Sequence, residues 1–174
     1  LGDSRPSHDV GMPPWPLARR HLKIIAFEPD PREYETLLRE TRAGGDDVIL
    51  FDKAVYAREQ KLELRITRNP ALTSIFEPNR AFIDAFPEPD RFDVVDVRQV
   101  EASALDSLLD SQRIGDIDFA KIDTQGSELH VIEGASRALA AGGVGVEVEA
   151  EFAPLYLDQP RFADVDVALR RLGY

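Results

Sequence analysis

The sequence predicts a doubly wound α/β fold with a mostly parallel sheet, organised as one domain over residues 1–174. First, short apolar runs of strand length alternate with helical patterns along the chain, as they do in sheets built from βαβ units. Second, an acidic residue directly follows three of these apolar runs. Third, no internal repeat, low-complexity segment or linker divides the chain. The length suits one domain with a single hydrophobic core.

The first predicted strand and the first predicted helix are adjacent. Residues 22–27 (LKIIAF) form a buried-strand run that ends at Glu28. Asp30 is suited to cap the following helix, and Pro31 suits its first turn. The glycine pair at 44–45 predicts the end of that helix.

Two further strands and a long excursion follow. Residues 48–51 (VILF) predict a buried strand that ends at Asp52. Residues 62–66 alternate between apolar and charged side chains, which predicts an added strand with one solvated face. Residues 68–91 hold four prolines and predict an excursion with a short helix near 81–86. Long loops of this kind often serve as functional lids.

The alternation continues in the second half of the chain. Residues 92–100 predict a strand, and the leucines of 105–109 predict a short helix after it. Residues 117–122 (IDFAKI) predict a strand that ends at Asp123. The clearest helical pattern spans 126–141, where apolar side chains recur on one face and a glycine pair follows.

A strand at 144–148 and a closing helix at 164–172 complete the predicted order. Glu147, Glu149 and Glu151 share one face of the strand, because side chains alternate along a strand with a period of two. We interpret this face as solvated, with the alternative that Glu149 and Glu151 border a substrate site at the carboxyl end of the strand.

The acidic strand ends are candidate binding positions, because ligands of open parallel sheets bind at the carboxyl ends of the strands. Glu28 could accept hydrogen bonds from both hydroxyls of a ribose, or it could be a glutamate favoured by the dipole of the next helix. Asp52 could meet an adenine amino group, or it could be a solvated turn residue. Asp123 could line the ligand site or cap a helix. Glu128 lies in a first helical turn, where the dipole favours any carboxylate.

Composition excludes several classes of function. The formal charge of −11 argues against general affinity for nucleic acid. No stretch reaches the length of a membrane span, and the first twenty residues do not resemble a signal peptide. The absence of cysteine is compatible with a cytoplasmic location, which we expect. His8, His21 and His130 match no metal-binding spacing, so we expect no metal site.

Two motifs resemble those of the FkbM family of methyltransferases. The first is Ile25-Ala-Phe-Glu-Pro-Asp-Pro31, and the second is Lys121-Ile-Asp-Thr-Gln-Gly-Ser-Glu128, which continues as Val131-Ile-Glu-Gly-Ala135. The Val-Glu-Val-Glu strand and the final Leu-Gly-Tyr174 also fit, so that the resemblance covers about Asp9 to Tyr174.

The resemblance implies a Rossmann-like methyltransferase fold and an S-adenosylmethionine (SAM)-dependent O-methylation of a hydroxyl on a sugar, polyketide or similar metabolite. It implies that Glu28 binds the SAM ribose and that Asp52, less specifically, contacts the adenine. Asp123 would line the donor and acceptor sites. Asp123 or Glu128 would take up or orient the hydroxyl proton.

The chain departs from the family pattern after its first strand, where the family has a glycine-rich loop of the form Asp-Val-Gly-Ala-Asn-x-Gly. Asp9 and Gly11 begin this cofactor loop, but Met12-Pro-Pro-Trp-Pro16 follows. Prolines supply neither the backbone N–H groups nor the helix expected there. Either a loop segment is missing between Gly11 and Met12, or the first helix is lost and SAM binding is weakened or gone. We also expect the last strands of the sheet to be missing after Tyr174.

Two other functions stay open at this point. A nicotinamide-dependent oxidoreductase would use Glu28 equally well for an NAD ribose, but it requires a G-x-G-x-x-G turn before residue 22, and the sequence contains none. The other alternative is a non-catalytic domain that retains the scaffold with a degenerate cofactor loop. The fold alone does not distinguish these functions.

Overall fold

The computed structural model describes residues 21–44 and 47–174. Asp9 and Gly11, the predicted beginning of the cofactor loop, lie outside the described residues, as does the departure at 12–16. No helix within the described residues is both long enough and apolar enough to cross a membrane.

The chain divides into two compact units, with a boundary between Ala54 and Val55. We call residues 21–44 and 47–54 the amino-terminal unit and Val55–Tyr174 the carboxyl-terminal unit. The organisation of residues 1–174 as one domain stays a prediction.

The amino-terminal unit contains two parallel strands and the helix between them. Their bounds are β1 (Lys23–Phe27), α1 (Pro31–Gly44) and β2 (Asp47–Phe51). The strands pair in parallel from Lys23 opposite Asp47 to Phe27 opposite Phe51. Asp30 caps α1 as predicted, because its Oδ1 accepts a hydrogen bond of 2.9 Å from the Arg32 backbone N–H. The two strands and the helix predicted for this region are confirmed.

In the carboxyl-terminal unit, β4 (Gln60–Thr67) and β5 (Val94–Ser103) pair in antiparallel fashion. Val55, the second residue of the short strand β3 (Ala54–Val55), also belongs to this unit, and the order of the sheet is β3-β5-β4. Leu64 on β4 is buried. The strand predicted at 62–66 is therefore confirmed, whereas the strand predicted at 92–100 begins two residues later. It begins later because a 3₁₀ turn over Pro89–Phe92 precedes β5.

The second sheet of this unit is parallel and consists of β6 (Phe119–Ile122) and β7 (Gly145–Val148). Helix α3 (Leu105–Gln112) precedes β6 as predicted, and Leu105, Leu108 and Leu109 are buried. The strands predicted at 117–122 and 144–148 are thus confirmed apart from their first residues. The chain is an α/β protein with parallel sheets. The doubly wound arrangement stays a prediction, since the two parallel pairs belong to different units.

The single helix predicted at 126–141 is wrong, because the structure has two helices there. These are α4 (Glu128–Gly134) and α5 (Ser136–Ala140). Ala135 between them adopts φ −111° and ψ 10°, outside helical geometry. The carboxylate of Asp106 accepts hydrogen bonds of 2.9 Å from the backbone N–H groups of Arg137 and Ala138. These N–H groups lie at the start of a helix, so α3 supplies a separate cap for α5.

The proline-rich excursion is a packed part of the carboxyl-terminal unit. It contains a 3₁₀ turn at Pro70–Leu72, helix α2 (Arg80–Ile83) and the turn at 89–92. Ile83 and Tyr156 form a buried cluster, which Phe92 completes. The predicted short helix lies earlier in the chain than expected. The excursion is not a free loop, because its apolar side chains pack into this buried cluster.

The last helix, α6 (Phe162–Leu172), is confirmed and starts two residues earlier than predicted. Its first turn is held by Asp164, whose Oδ2 accepts a hydrogen bond of 2.9 Å from the Arg161 backbone N–H. Val165 is the buried side chain of its apolar stripe.

Candidate active site

The loop between β6 and α4, residues 123–127, contains the predicted site residue Asp123. Gln125 and Gly126 adopt φ of 54° and 106°, which turns the chain sharply. A Cβ on Gly126 would lie 3.3 Å from Cδ2 of Phe76 and 3.5 Å from Cδ2 of Tyr156. The backbone conformation therefore favours glycine here, and the close packing of the loop leaves little room for a Cβ.

Glu128, the second predicted catalytic residue, is only 1% exposed. Its Oε1 accepts hydrogen bonds from the backbone N–H of Thr124 at 2.8 Å and from the Thr124 hydroxyl at 3.0 Å. The Gly126 N–H lies 3.1 and 3.0 Å from the two oxygens of the same carboxylate. A buried carboxylate needs such donors. Glu128 thus holds the loop that carries Asp123.

Gln125 is a residue that the sequence reasoning did not single out, and it is 5% exposed. Its Nε2 lies 3.1 Å from Oδ1 of Asp123 and 3.5 Å from Oε1 of Glu149. Its own Oε1 lies 3.1 Å from the Tyr156 hydroxyl, and its backbone oxygen accepts a hydrogen bond of 2.6 Å from the Ser74 hydroxyl. The amide is therefore held on three sides. Only its place in the second motif could have indicated it.

Glu149 and Glu151, which the sequence left open, belong to this cluster. Burial, the charge of Asp123 and a hydrogen bond to Asp123 raise the pKa of Glu149. Burial, followed by the charge of Glu128, raises the pKa of Glu151 to about 7. The solvated face predicted for this strand therefore applies to Glu147 and Glu149, which are exposed, but not to Glu151, which is partly buried.

Tyr156 and Gln159 complete the cluster from a segment far along the chain. Tyr156 is 1% exposed, and its hydroxyl lies 2.9 Å from the carbonyl oxygen of Leu72. Gln159 accepts a hydrogen bond from the Tyr156 backbone N–H and donates one of 3.3 Å to Oε2 of Glu151. No sequence motif connects these residues with Asp123, since only tertiary packing brings them together.

An exposed aromatic pair adjoins Glu151. The rings of Phe152 and Phe162 stack with a centroid distance of 4.5 Å, and Phe152 is 76% exposed. The Phe162 backbone N–H donates a hydrogen bond of 2.9 Å to the carbonyl oxygen of Glu151. Apolar rings therefore lie on the surface beside the carboxylate cluster.

In the amino-terminal unit, Glu28 and Asp52 follow the paired ends of β1 and β2. Glu28 is 5% exposed, and its backbone N–H donates a hydrogen bond of 3.0 Å to the carbonyl oxygen of Phe51. Its Oε1 accepts a hydrogen bond of 2.8 Å from the Asp30 N–H. Burial raises the pKa of Glu28 to about 7, although the hydrogen bond from the Asp30 N–H by itself lowers this pKa. Asp52 is exposed.

The structure therefore brings the predicted residues together in two groups. Asp123 and Glu128 share one loop of the carboxyl-terminal unit, and Glu28 and Asp52 share one edge of the amino-terminal unit. Within residues 21–44 and 47–174, no group of three or more His, Asp and Glu side chains could hold a metal ion. The absence of a metal site in the whole chain stays a prediction.

The chain is thus an α/β protein whose parallel strands are followed by carboxylates, at the edge where open parallel sheets in general bind their ligands. A profile of the Methyltransferase FkbM domain matches residues 14–174. The chain therefore belongs to the FkbM methyltransferase family, as its two motifs predict, and is a methyltransferase domain. No curated protein and no solved structure matches the chain significantly.

Proposed function

We propose that this chain is a SAM-dependent methyltransferase that methylates a hydroxyl group of a small molecule. The observation that carries the proposal is Glu28, a buried carboxylate at the carboxyl end of β1 in a chain of the FkbM family. A buried carboxylate needs donors to satisfy its charge, and the two hydroxyls of a ribose are such donors. The residue therefore fits the nucleoside part of SAM. Asp52, which follows the neighbouring strand, is proposed to contact the adenine.

Asp9 and Gly11 are proposed to begin the loop that binds the rest of the cofactor. This stays a prediction from the sequence, as do the cytoplasmic location and the exclusion of nucleic acid as a substrate.

The chemistry supplied by bound SAM is an electrophilic methyl group on a sulfonium. Glu28 and Asp52 would hold the nucleoside part of SAM, and the carboxylate of Asp123 would take up the proton of the acceptor hydroxyl as its oxygen is methylated. Alignment of the reacting atoms can account for about 7–11 kcal/mol of the barrier. Asp123 is suited to this role because it is partly exposed, whereas Gln125, Gly126 and Ser127 of the same loop are buried.

Glu128 is proposed to act by positioning. Its carboxylate oxygens accept the hydrogen bonds that fix Thr124 and Gly126, so that it keeps Asp123 in place. The exposed rings of Phe152 and Phe162 beside Glu151 offer an apolar surface for an acceptor, and the surrounding carboxylates disfavour an anionic one.

The cofactor is tested by thermal shift with SAM, its demethylated product and NAD. We expect SAM and its product to raise the melting temperature of the protein, and Glu28→Ala to remove that shift. Glu40→Ala is the matched control, because Glu40 is exposed on α1. A shift with NAD alone would indicate an oxidoreductase. No shift with any of the three compounds would indicate a non-catalytic domain, and both results contradict the proposal.

Methyl transfer is tested with tritiated SAM and a panel of hydroxylated sugars and polyketides. We expect Asp123→Ala to abolish transfer while the circular dichroism spectrum stays unchanged. Asp116→Ala is the control, since Asp116 is an exposed carboxylate before β6. Unchanged turnover by the Asp123 variant would exclude the proposed role of this carboxylate.

A further inference from the structure

The parallel register of β6 and β7 places Asp123 and Glu149 side by side. Ile122 lies opposite Val148 as the last pair of the two strands. The backbone N–H of Glu149 then donates a hydrogen bond of 2.9 Å to the carbonyl oxygen of Ile122. Each carboxylate therefore follows the same strand pair at its carboxyl end.

A single amide lies between the two carboxylates. Nε2 of Gln125 is 3.1 Å from Oδ1 of Asp123 and 3.5 Å from Oε1 of Glu149. An amide nitrogen has two hydrogens, so that it can serve one carboxylate with each. Gln125 is fixed for this role, because Tyr156 and Ser74 hold its side-chain and backbone oxygens.

Two neighbouring carboxyl groups do not both ionise readily, and such a pair can retain one proton that both groups share. We propose that Glu149 is a positioning residue of the methyltransferase site, which holds that shared proton and thereby orients the Asp123 carboxylate toward the acceptor. The proposal rests on the function proposed for Asp123, which needs one carboxylate oxygen directed at the hydroxyl of the acceptor.

The charges around Glu149 raise its pKa and so favour the protonated form. Partial desolvation is the largest cause of the raised pKa of Glu149, followed by the charge of Asp123 and hydrogen bonding with Asp123, with a further contribution from the charge of Glu128. The Gln125 amide lowers the pKa. Glu151 faces the same cluster from the segment after β7, and the Tyr156 hydroxyl faces it from the segment before α6.

The pairing is tested by a pH titration of the side-chain carboxyl carbons, observed by NMR in the ¹³C-labelled protein. We expect the Asp123 and Glu149 resonances to move together in the pH interval where Glu149 titrates. In Asp123→Asn, the pKa of Glu149 should fall toward the usual range of glutamates, because the neighbouring charge is gone. Glu147→Gln is the control and should leave the Glu149 titration unchanged, since Glu147 lies on β7 opposite Lys121.

A Glu149 titration that is the same in Asp123→Asn as in the unmodified protein would overturn the proposal. The NMR titration needs neither SAM nor an acceptor. It can therefore contradict the pairing of Glu149 with Asp123 independently of the proposed function, which is tested by the thermal shift with SAM. In the methyl-transfer assay, Glu149→Gln should retain transfer, because an amide can donate to Asp123 as the protonated carboxyl does. Glu149→Ala should lose most of it, and equal transfer by the two variants would also contradict the proposal.

Discussion

The backbone N–H of Gly126 lies between the two carboxylate oxygens of Glu128, at 3.1 Å from Oε1 and 3.0 Å from Oε2. The first residue of α4 thus holds the loop that precedes its own helix. Because the helix dipole also favours a carboxylate in the first turn, the same side chain is stabilised by the helix it begins and by the loop it fixes.

Removal of this carboxylate should destabilise the protein strongly. We expect Glu128→Ala to lower the free energy of unfolding by about 3 kcal/mol, because it leaves the buried Gly126 N–H and the partly buried donors of Thr124 without an acceptor. Urea denaturation followed by circular dichroism measures the change. Glu133→Ala on the same helix is the control, since Glu133 is exposed and should change stability by less than about 0.5 kcal/mol. Equal effects of the two substitutions would contradict the positioning role of Glu128.

The effect of tight packing at Gly126 on stability can be measured separately from the effect of its backbone conformation. Gly126 and Gly142 both have positive φ, of 106° and 110°, but a Cβ on Gly142 would meet nothing within 4 Å. We expect Gly142→Ala to destabilise the protein by about 1–2 kcal/mol through conformation alone. Gly126→Ala should cost at least about 1 kcal/mol more, because its Cβ would contact Phe76 at 3.3 Å. Denaturation midpoints that do not differ would exclude the packing contribution.

The end of α4 depends on a close backbone approach at Gly134. A Cβ there would lie 2.0 Å from the carbonyl oxygen of Tyr56, so that backbone must move to admit it. We expect Gly134→Ala to destabilise the protein by about 3 kcal/mol. Gly115→Ala has open space around its Cβ and should be near neutral. A stability of Gly134→Ala within error of Gly115→Ala would show that Tyr56 does not constrain this position.

The raised pKa of Glu28 predicts how stability depends on pH. The folded protein binds the Glu28 proton more tightly than the unfolded chain, since burial raises the pKa from 4.5 to about 7. The contribution of Glu28 protonation to the free energy of unfolding is therefore fully present below about pH 4.5. It is lost, and stability falls, as the pH rises from about 4.5 to about 7. Above it, Glu28→Gln should be more stable than the unmodified protein by up to about 3 kcal/mol, measured by urea denaturation at pH 5 and pH 8. The same difference at both pH values would refute this linkage.

The same titration predicts how SAM binding depends on pH. An ionised carboxylate accepts hydrogen bonds from ribose hydroxyls more strongly than a protonated one. The affinity for SAM should therefore rise with pH through about 7, where Glu28 ionises in the free protein. Isothermal calorimetry from pH 6 to pH 8 measures this rise, and Glu40→Gln is the control because Glu40 is exposed on α1. An affinity that is constant over this range would argue against Glu28 as the ribose ligand.

Most of the local structure could be predicted from the sequence because it depends on nearby residues. Asp30 and Pro31 mark the start of α1, and apolar runs mark β1, β2, β6 and β7. The division of the predicted helix at 126–141 could not be predicted. It depends on Asp106, which caps α5 from a different helix, and a cap from outside the segment leaves no local signal.

The candidate site likewise has residues that could be predicted from the sequence and residues that could not. Asp123 and Glu128 could be found because they lie in one motif, and Glu28 because it ends an apolar run. The sequence could not reveal the roles of Gln125 and Tyr156 or the pairing of Glu149 with Asp123. Polar residues have no periodicity in the sequence that indicates which residue they contact.

The amino-acid sequence by itself determined the α/β class, the family and the order of the strands and helices, since these follow from apolar periodicity, capping residues and two short motifs. Only the tertiary structure decided which polar groups meet. It buries Glu128 among the N–H groups of its own loop and sets Glu149 beside Asp123. The physical reason is that hydrogen bonds and charge interactions act over a few ångströms in space, whatever the separation of the residues along the chain.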